Sequence, residues 1–179
     1  MRYNPPMPFA CTPARRPGAT PVTQALEALG IPHTLHIHER PLRSLEQAAE
    51  ERGLEPSQII RTLLFRLEDR SFLIVLAAGP GKVSWPLLRR HLGVARLTTA
   101  TPDEVRQVTG YEPGAVSPFG LPSTLRILAD RGLLAQDVIS IGAGIRNAGV
   151  LLRRDDLVRA LQPEIGDFLE KAQGHQVME

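Results

Sequence analysis

The segment Thr109-Gly110-Tyr111-Glu112-Pro113-Gly114-Ala115-Val116-Ser117-Pro118-Phe119-Gly120-Leu121-Pro122 packs three glycines and three prolines into 14 residues. Proline fixes φ and removes a donor, while glycine lets a ligand approach the backbone closely. A loop so constrained can aim the N–H groups of Ala115, Val116 and Ser117 at a carbonyl or a developing oxyanion. A structural surface loop is the competing reading of the same composition. Ser117 has no paired histidine in any recognisable motif, so its hydroxyl is not expected to act as a nucleophile. Arg61, in Gln58-Ile59-Ile60-Arg61-Thr62-Leu63-Leu64, is a lone charge among apolar residues. It is either the exposed position of an alternating strand or a fixed cation at the mouth of a pocket. Gly142-Ala143-Gly144 begins a glycine-rich turn that, alone, reads as a hairpin connection. His33, His36 and His38 invite a metal reading. Only His36 and His38 share a strand face, and Glu39 is the sole carboxylate beside them, so no metal and no cofactor are expected.

The elements that must position these residues follow from caps and periodicity. Thr20 with Pro21 in the first helical position opens a helix that Gly30 ends. Thr34 to His38 alternates as a half-buried strand does. Ser44-Leu45-Glu46-Gln47 is a capping-box pattern whose helix stops at Gly53. Ile59 to Leu67 and Phe72 to Ala78, split by Glu68-Asp69-Arg70-Ser71, read as a hairpin. Ser84 caps a helix to His91, and Thr101-Pro102-Asp103-Glu104 opens another that Gly110 ends. Thr124 to Leu128, Val138 to Ile141 and Val150 to Arg153 read as strands. Asp155 or Asp156 opens a helix to Leu161, and Pro163 is expected to begin a last one. Helices interleave with hairpin-type strands rather than in a βαβ repeat, which predicts a mixed α/β (α+β) fold. No G-x-G-x-x-G after a strand, no P-loop and no G-x-S-x-G elbow is present.

Bulk composition narrows the class. The 179 residues suit one domain, expected over 20–171, with a proline-rich tail at 1–19 and a short tail at 172–179. No apolar run is long enough for a membrane helix, and a cytoplasmic protein without a membrane partner is expected. The single cysteine, Cys11, permits neither an intrachain disulfide nor a cysteine-based zinc site. A net charge of +2 does not by itself imply nucleic acid. Of 21 basic residues, all but Lys82 and Lys171 are arginine. Codon bias explains this, and so does a phosphate-binding surface, since guanidinium forks grip phosphates bidentately.

In chain order, His38-Glu39-Arg40-Pro41, Gln58-Ile59-Ile60-Arg61-Thr62-Leu63-Leu64, Thr109-Gly110-Tyr111, Gly114-Ala115-Val116-Ser117-Pro118-Phe119-Gly120, Leu125 to Asp130, and Ile141 to Gly144 resemble the YbaK/prolyl-tRNA-synthetase-associated (INS-like) editing family. The likeness spans roughly 21–162, and its most specific part is the Thr-Gly-Tyr segment with the Gly-x-x-x-Pro loop. The resemblance implies a mixed, largely antiparallel sheet curled toward a partly closed barrel with surrounding helices. It implies a free-standing aminoacyl-tRNA deacylase that hydrolyses the ester of a mischarged tRNA of the proline class. The alternative is an inactive module of the same fold that binds tRNA or a small ligand. The expected partners are the aminoacyl-tRNA 3′ end and an aminoacyl-tRNA synthetase. By the resemblance, Arg61 and the loop residues Gly114, Ala115, Val116, Ser117 and Pro118 are catalytic. His38, Thr62, Tyr111, Asp130, Gly142 and Gly144 contact the substrate. Arg61 stands where the family usually has lysine. Arginine stays protonated, so it serves as a fixed cation and not as a general base.

Overall fold

The computed structural model describes residues 19–170. Of the two expected tails, only Ala19 is among them. Five helices of seven or eight residues and eight strands make a mixed α/β fold.

Local chemistry sets the helices. Helix α1 (Pro21–Ala28) starts at Thr20, whose side chain accepts from the Thr23 N–H at 3.1 Å. Strand β1 (His33–Ile37) follows, then α2 (Leu45–Glu51), capped by Ser44 accepting from the Gln47 N–H at 3.1 Å. After the hairpin strands β2 (Ile60–Leu67) and β3 (Phe72–Ala78) come α3 (Trp85–Leu92) and the short β4 (Leu97–Thr99). Helix α4 (Pro102–Thr109) has the full capping box between Thr101 and Glu104, and Gly110 ends it at φ +74°. Strands β5 (Arg126–Asp130), β6 (Val138–Gly142) and β7 (Ala148–Arg153), helix α5 (Arg154–Leu161) and β8 (Glu164–Gly166) are the remaining elements among the described residues. No helix among the described residues is long and apolar enough to cross a membrane.

Where one curled sheet was expected, there are two. One has the order β1-β7-β6, the other β4-β2-β3-β5-β8. Pairing is antiparallel except where β5 joins β3 and β8 joins β5. A single parallel bridge, Ile59 to Ser140, stitches the sheets together, and no closed barrel forms among the described residues. The two faces of the larger sheet bury different clusters, as the period of two requires. Ile60, Leu64, Ile74 and Leu76 join the main cluster with Leu26, Tyr111 and Ile141. Phe65, Leu73, Val75 and Leu128 pack with Leu88 and Phe168 on the other side.

The helix expected after Pro163 is instead β8, a parallel edge beside β5. Tertiary contacts override the local proline signal. Asp130, at the end of β5, accepts through Oδ1 from the Phe168 and Leu169 N–H groups at 2.9 and 3.2 Å and through Oδ2 from Gly132 N–H at 2.9 Å. That carboxylate holds the chain after β8 extended and closes the turn after β5.

Candidate active site

A cleft of about 520 Å³ opens where the two sheets meet. Five consecutive residues, Ile59 to Leu63, line it, so the strand presents its edge and not one face. The reason is register: β4 pairs only with residues 65–67, while Ile59 bridges to Ser140. Between those ends the edge of β2 is left open. Gly114 and Val116 come in from the loop, Gly142 from the end of β6, and Ala48 and Arg52 from α2 and its C-cap. Of the residues singled out in the sequence, the cleft thus gathers Arg61, Thr62, Gly114, Val116 and Gly142.

The others sit behind it. Tyr111 is 4% exposed and donates its hydroxyl to the Phe119 carbonyl at 2.7 Å, holding the loop from below. Burial raises its pKa. Gly144, at φ +79°, lies against the Tyr111 ring so closely that a Cβ would sit 2.8 Å from Cε1. The Gly144 N–H donates to the Ala115 carbonyl at 3.1 Å, tying the glycine turn to the loop. Ser117 is fully buried, with its Oγ accepting from the Phe119 N–H at 3.4 Å, so the hydroxyl shapes the turn before Pro118. Neither Ser117 nor Pro118 lines the cleft. Asp130 does not line it either, and both its oxygens are occupied by backbone donors.

The set of available donors is narrower than the sequence implied. The Ala115 N–H donates to the Glu112 carbonyl at 2.9 Å and is unavailable to a ligand. The Val116 and Ser117 N–H groups have no protein acceptor among the described residues. Gly142 fixes their place: a Cβ there would land on the Val116 carbonyl oxygen.

Arg61 lines the cleft, but alternation along β2 puts its side chain with Leu63 and Phe65. A terminal nitrogen donates to the Gly81 carbonyl, outside the cleft lining, and Nε is buried without a partner. Burial lowers its pKa, and the group remains cationic. Thr62 Oγ1 is likewise buried and unpartnered.

His38 is buried behind the cleft. Its Nε2 accepts from Arg52 Nε at 3.1 Å, so the proton resides on Nδ1 and is donated to Glu51. The hydrogen bond from His38, then that from Gln47, holds the Glu51 carboxyl below its ordinary range. Burial lowers the His36 pKa, with His38 and Arg52 adding to the effect. His36, His38 and Glu51 bring ligand atoms within 4.8 Å of one another, a grouping invisible in sequence because Glu51 arrives from α2. The geometry is that of a hydrogen-bonded chain: the free lone pair of His38 already faces the Arg52 guanidinium. A larger cleft of about 660 Å³ lies at the far end of β2, between Arg66, Arg96 and Glu104. None of the candidate residues lines it, and Arg66 is neutralised there by Glu104.

Sequence reasoning missed Arg52, Arg146 and Ala48. Arg52 stands in Glu50-Glu51-Arg52-Gly53, which reads as a solvated helix end. Its partners are 14 and 88 positions away.

Comparison with known proteins places the chain among relatives. The model of the aminoacyl-tRNA editing domain matches residues 39–160. The multifunctional Ser/Thr-tRNA deacylase ProXp-y of Escherichia coli (strain K12) is 31% identical over 132 residues, covering 71% of this chain and 78% of the relative. The proline–tRNA ligase of Bacillus licheniformis is 30% identical over 121 residues, 68% of this chain. The match takes in only 21% of that ligase, so the chain spans about a fifth of it. Among solved structures, a protein described as a candidate trans-editing enzyme for prolyl-tRNA synthetase superposes with a TM-score of 0.78 at 27% identity. That match covers 84% of this chain and 96% of the other.

Proposed function

The chain belongs to the aminoacyl-tRNA editing domain family, and from that membership we propose that it is a trans-acting deacylase that hydrolyses mischarged aminoacyl-tRNA at the cleft between the two sheets. The observation that carries the reading is the convergence, at that cleft, of the open edge of β2, the Gly114–Pro118 loop and Gly142. Water adds to the ester carbonyl carbon, the bond to the terminal ribose oxygen breaks, and the amino acid leaves as its carboxylate. The Val116 N–H, on a residue that lines the cleft, suits the developing oxyanion, and a backbone donor held in place before the reaction needs no reorganisation during it. One proton of the attacking water passes, through solvent or the neighbouring ribose hydroxyl, to the departing ribose oxygen, and the other goes to solvent as the carboxylate forms, since Ser117 Oγ is buried and turned to the Phe119 N–H. No protein nucleophile and no metal enters this scheme.

The expected substrates are tRNAs of the proline class, with seryl and threonyl esters tried first because the Escherichia coli relative is a Ser/Thr-tRNA deacylase. Association with an aminoacyl-tRNA synthetase is the accompanying partner proposal, and the cytoplasm the accompanying location. The test is single-turnover hydrolysis across a panel of mischarged tRNAs. Release of at least one amino acid well above the buffer rate is expected. Tight tRNA binding with no release from any member would leave a binding module of the same fold.

A further inference from the structure

The side chain of Arg52 turns inward from the end of α2 and lies across β7. It occupies the place a side chain on Gly149 would take: a Cβ there would land on Cζ and sit 2.7 Å from Nη2. Nε donates to His38 Nε2 at 3.1 Å and Nη1 to Ser140 Oγ at 2.9 Å. His38 is itself held by Glu51, so the residue following β1 and Ser140 of β6 fix the guanidinium against β7. Nη2 has no partner among the described residues, is not sealed from solvent, and belongs to a residue lining the cleft.

The charge around it is one-sided. Arg52, Arg61 and Arg146 line the cleft, and no aspartate or glutamate does. Among the described residues no carboxylate comes within the 4.0 Å of an ion pair with Arg52, and Glu51 acts on it only across the His38 ring. Burial lowers the Arg52 pKa, and the Glu51 carboxylate beyond the His38 ring offsets this only in part. Holding a guanidinium partly out of water between neutral groups is unfavourable unless an anion completes the shell.

We propose that Arg52 is the anion-binding residue of the cleft and grips the phosphodiester linking the last two nucleotides of the tRNA. The proposal rests on the deacylase reading for the identity of the anion. In an aminoacyl ester the α-carboxylate is consumed by the linkage, so the anions available are a phosphate or an acidic amino-acid side chain. A pre-aimed guanidinium matches phosphate oxygens, and phosphate is common to every tRNA whatever it carries. Arg61, anchored to Gly81, is left to hold the loop following β3 against β2.

The test compares seryl esters of CpA, which has one phosphodiester, and of adenosine, which has none. Wild type is expected to prefer the CpA ester by about tenfold to hundredfold, the range a charge-assisted hydrogen bond contributes. Arg52→Gln should abolish that preference through KM, so that the CpA and adenosine esters give the same kcat/KM within about twofold, as expected for loss of binding shared by ground and transition states. The adenosine ester also reports that the variant is folded. Gly149→Ala, which displaces the guanidinium but keeps its charge, should behave like Arg52→Gln, and Arg52→Lys should recover part of the preference. Equal loss on both esters would make Arg52 merely structural and overturn the proposal. So would a preference retained in Arg52→Gln, or a loss confined to aspartyl and glutamyl esters. If no ester is hydrolysed, binding of uncharged CpCpA still decides. Arg52→Gln should lower the slope of log affinity against log salt by about 0.7, one phosphate contact on a single strand. An unchanged slope would overturn the proposal without bearing on the hydrolysis.

Discussion

Two small residues, Gly142 and Gly114, control the loop that carries the proposed oxyanion donor of Val116, and they do so differently. At Gly142 the constraint is space, because a Cβ would meet the Val116 carbonyl oxygen. Backbone must then move, and misplacement by about an ångström can cost about 10²-fold in rate. Gly142→Ala is therefore expected to lower single-turnover deacylation by about that factor while leaving tRNA binding within a few-fold. Parallel rate and binding measurements check this, and an unchanged rate would remove the loop from the chemistry. At Gly114 the space is open and the constraint is φ, at +87°. Gly114→Ala strains the turn instead of blocking it, by about 1 kcal/mol for a single left-handed alanine, so its rate loss should be the smaller of the two. Ser117→Ala loses one hydrogen bond to the Phe119 N–H, and its effect should be modest in rate and about 1 kcal/mol in stability. A rate abolished in a folded Ser117→Ala protein would instead indicate covalent catalysis.

At the scale of elements, the C-terminal end of the larger sheet is held by two carboxylates with separable signatures. Asp130 satisfies three backbone N–H groups from inside the fold. Asp130→Ala leaves those donors buried without acceptors, at about 1–3 kcal/mol for each that water cannot reach. Thermal unfolding should show a large loss of stability, and the surviving folded fraction should keep its kcat. A stable variant with reduced kcat would make Asp130 a substrate contact after all. Glu164 pins β8 to β5 and α3 through Arg126 at 2.6 and 2.8 Å and His91 at 3.1 Å. Arg126 chiefly, with His91, pulls its pKa from 4.5 down to about 2. A depressed folded pKa stabilises the protein above the unfolded value, and the contribution is lost as pH falls through the folded one. Glu164→Gln should therefore flatten the fall in stability between pH 4.5 and about 2. Both side chains are more than two-fifths exposed, so solvent screening limits the contribution to about 1 kcal/mol or less. These elements also mark what could be read from sequence. Thr20, Ser44 and Thr101 announce their helices because a cap is satisfied within three residues. The hairpin of β2 and β3 is legible because its turn is local. Glu164-Ile165-Gly166 is not, since it becomes a strand only by pairing with residues 128–130, far back in the chain. Arg52 was hidden for the same reason: its sequence neighbours suggest solvent, and its function depends on His38, Ser140 and Gly149.

The whole molecule is almost electrically balanced, at +2. Away from the cleft many arginines are paired: Arg66 with Glu104, Arg106 with Asp103 and Glu112, Arg126 with Glu164, Arg131 with Asp167, and Arg159 with Asp156. At the cleft, Arg52 and Arg61 have no carboxylate partner among the described residues, and Arg146 has only Glu112 at 3.8 Å. The seam between the sheets is thus lined by arginines and by no carboxylate. A tRNA end entering there should release counterions in proportion to the phosphates it meets. With Arg61 anchored to Gly81 and at most Arg52 and Arg146 engaged, the slope of log affinity against log salt is expected to be no steeper than about −1.4, taking about 0.7 per contact on a single strand. Equilibrium binding of a tRNA acceptor-stem minihelix between about 50 and about 300 mM salt, a range that brackets the physiological one, measures it. A slope of about −4 or steeper would mean that the duplex stem lies on arginines outside the cleft, such as Arg70 and Arg96 at the other end of β2, and that selection of the tRNA body resides in this domain. A slope near zero would mean that no phosphate is held, and the cleft would then take its ligand by the ester and side chain alone.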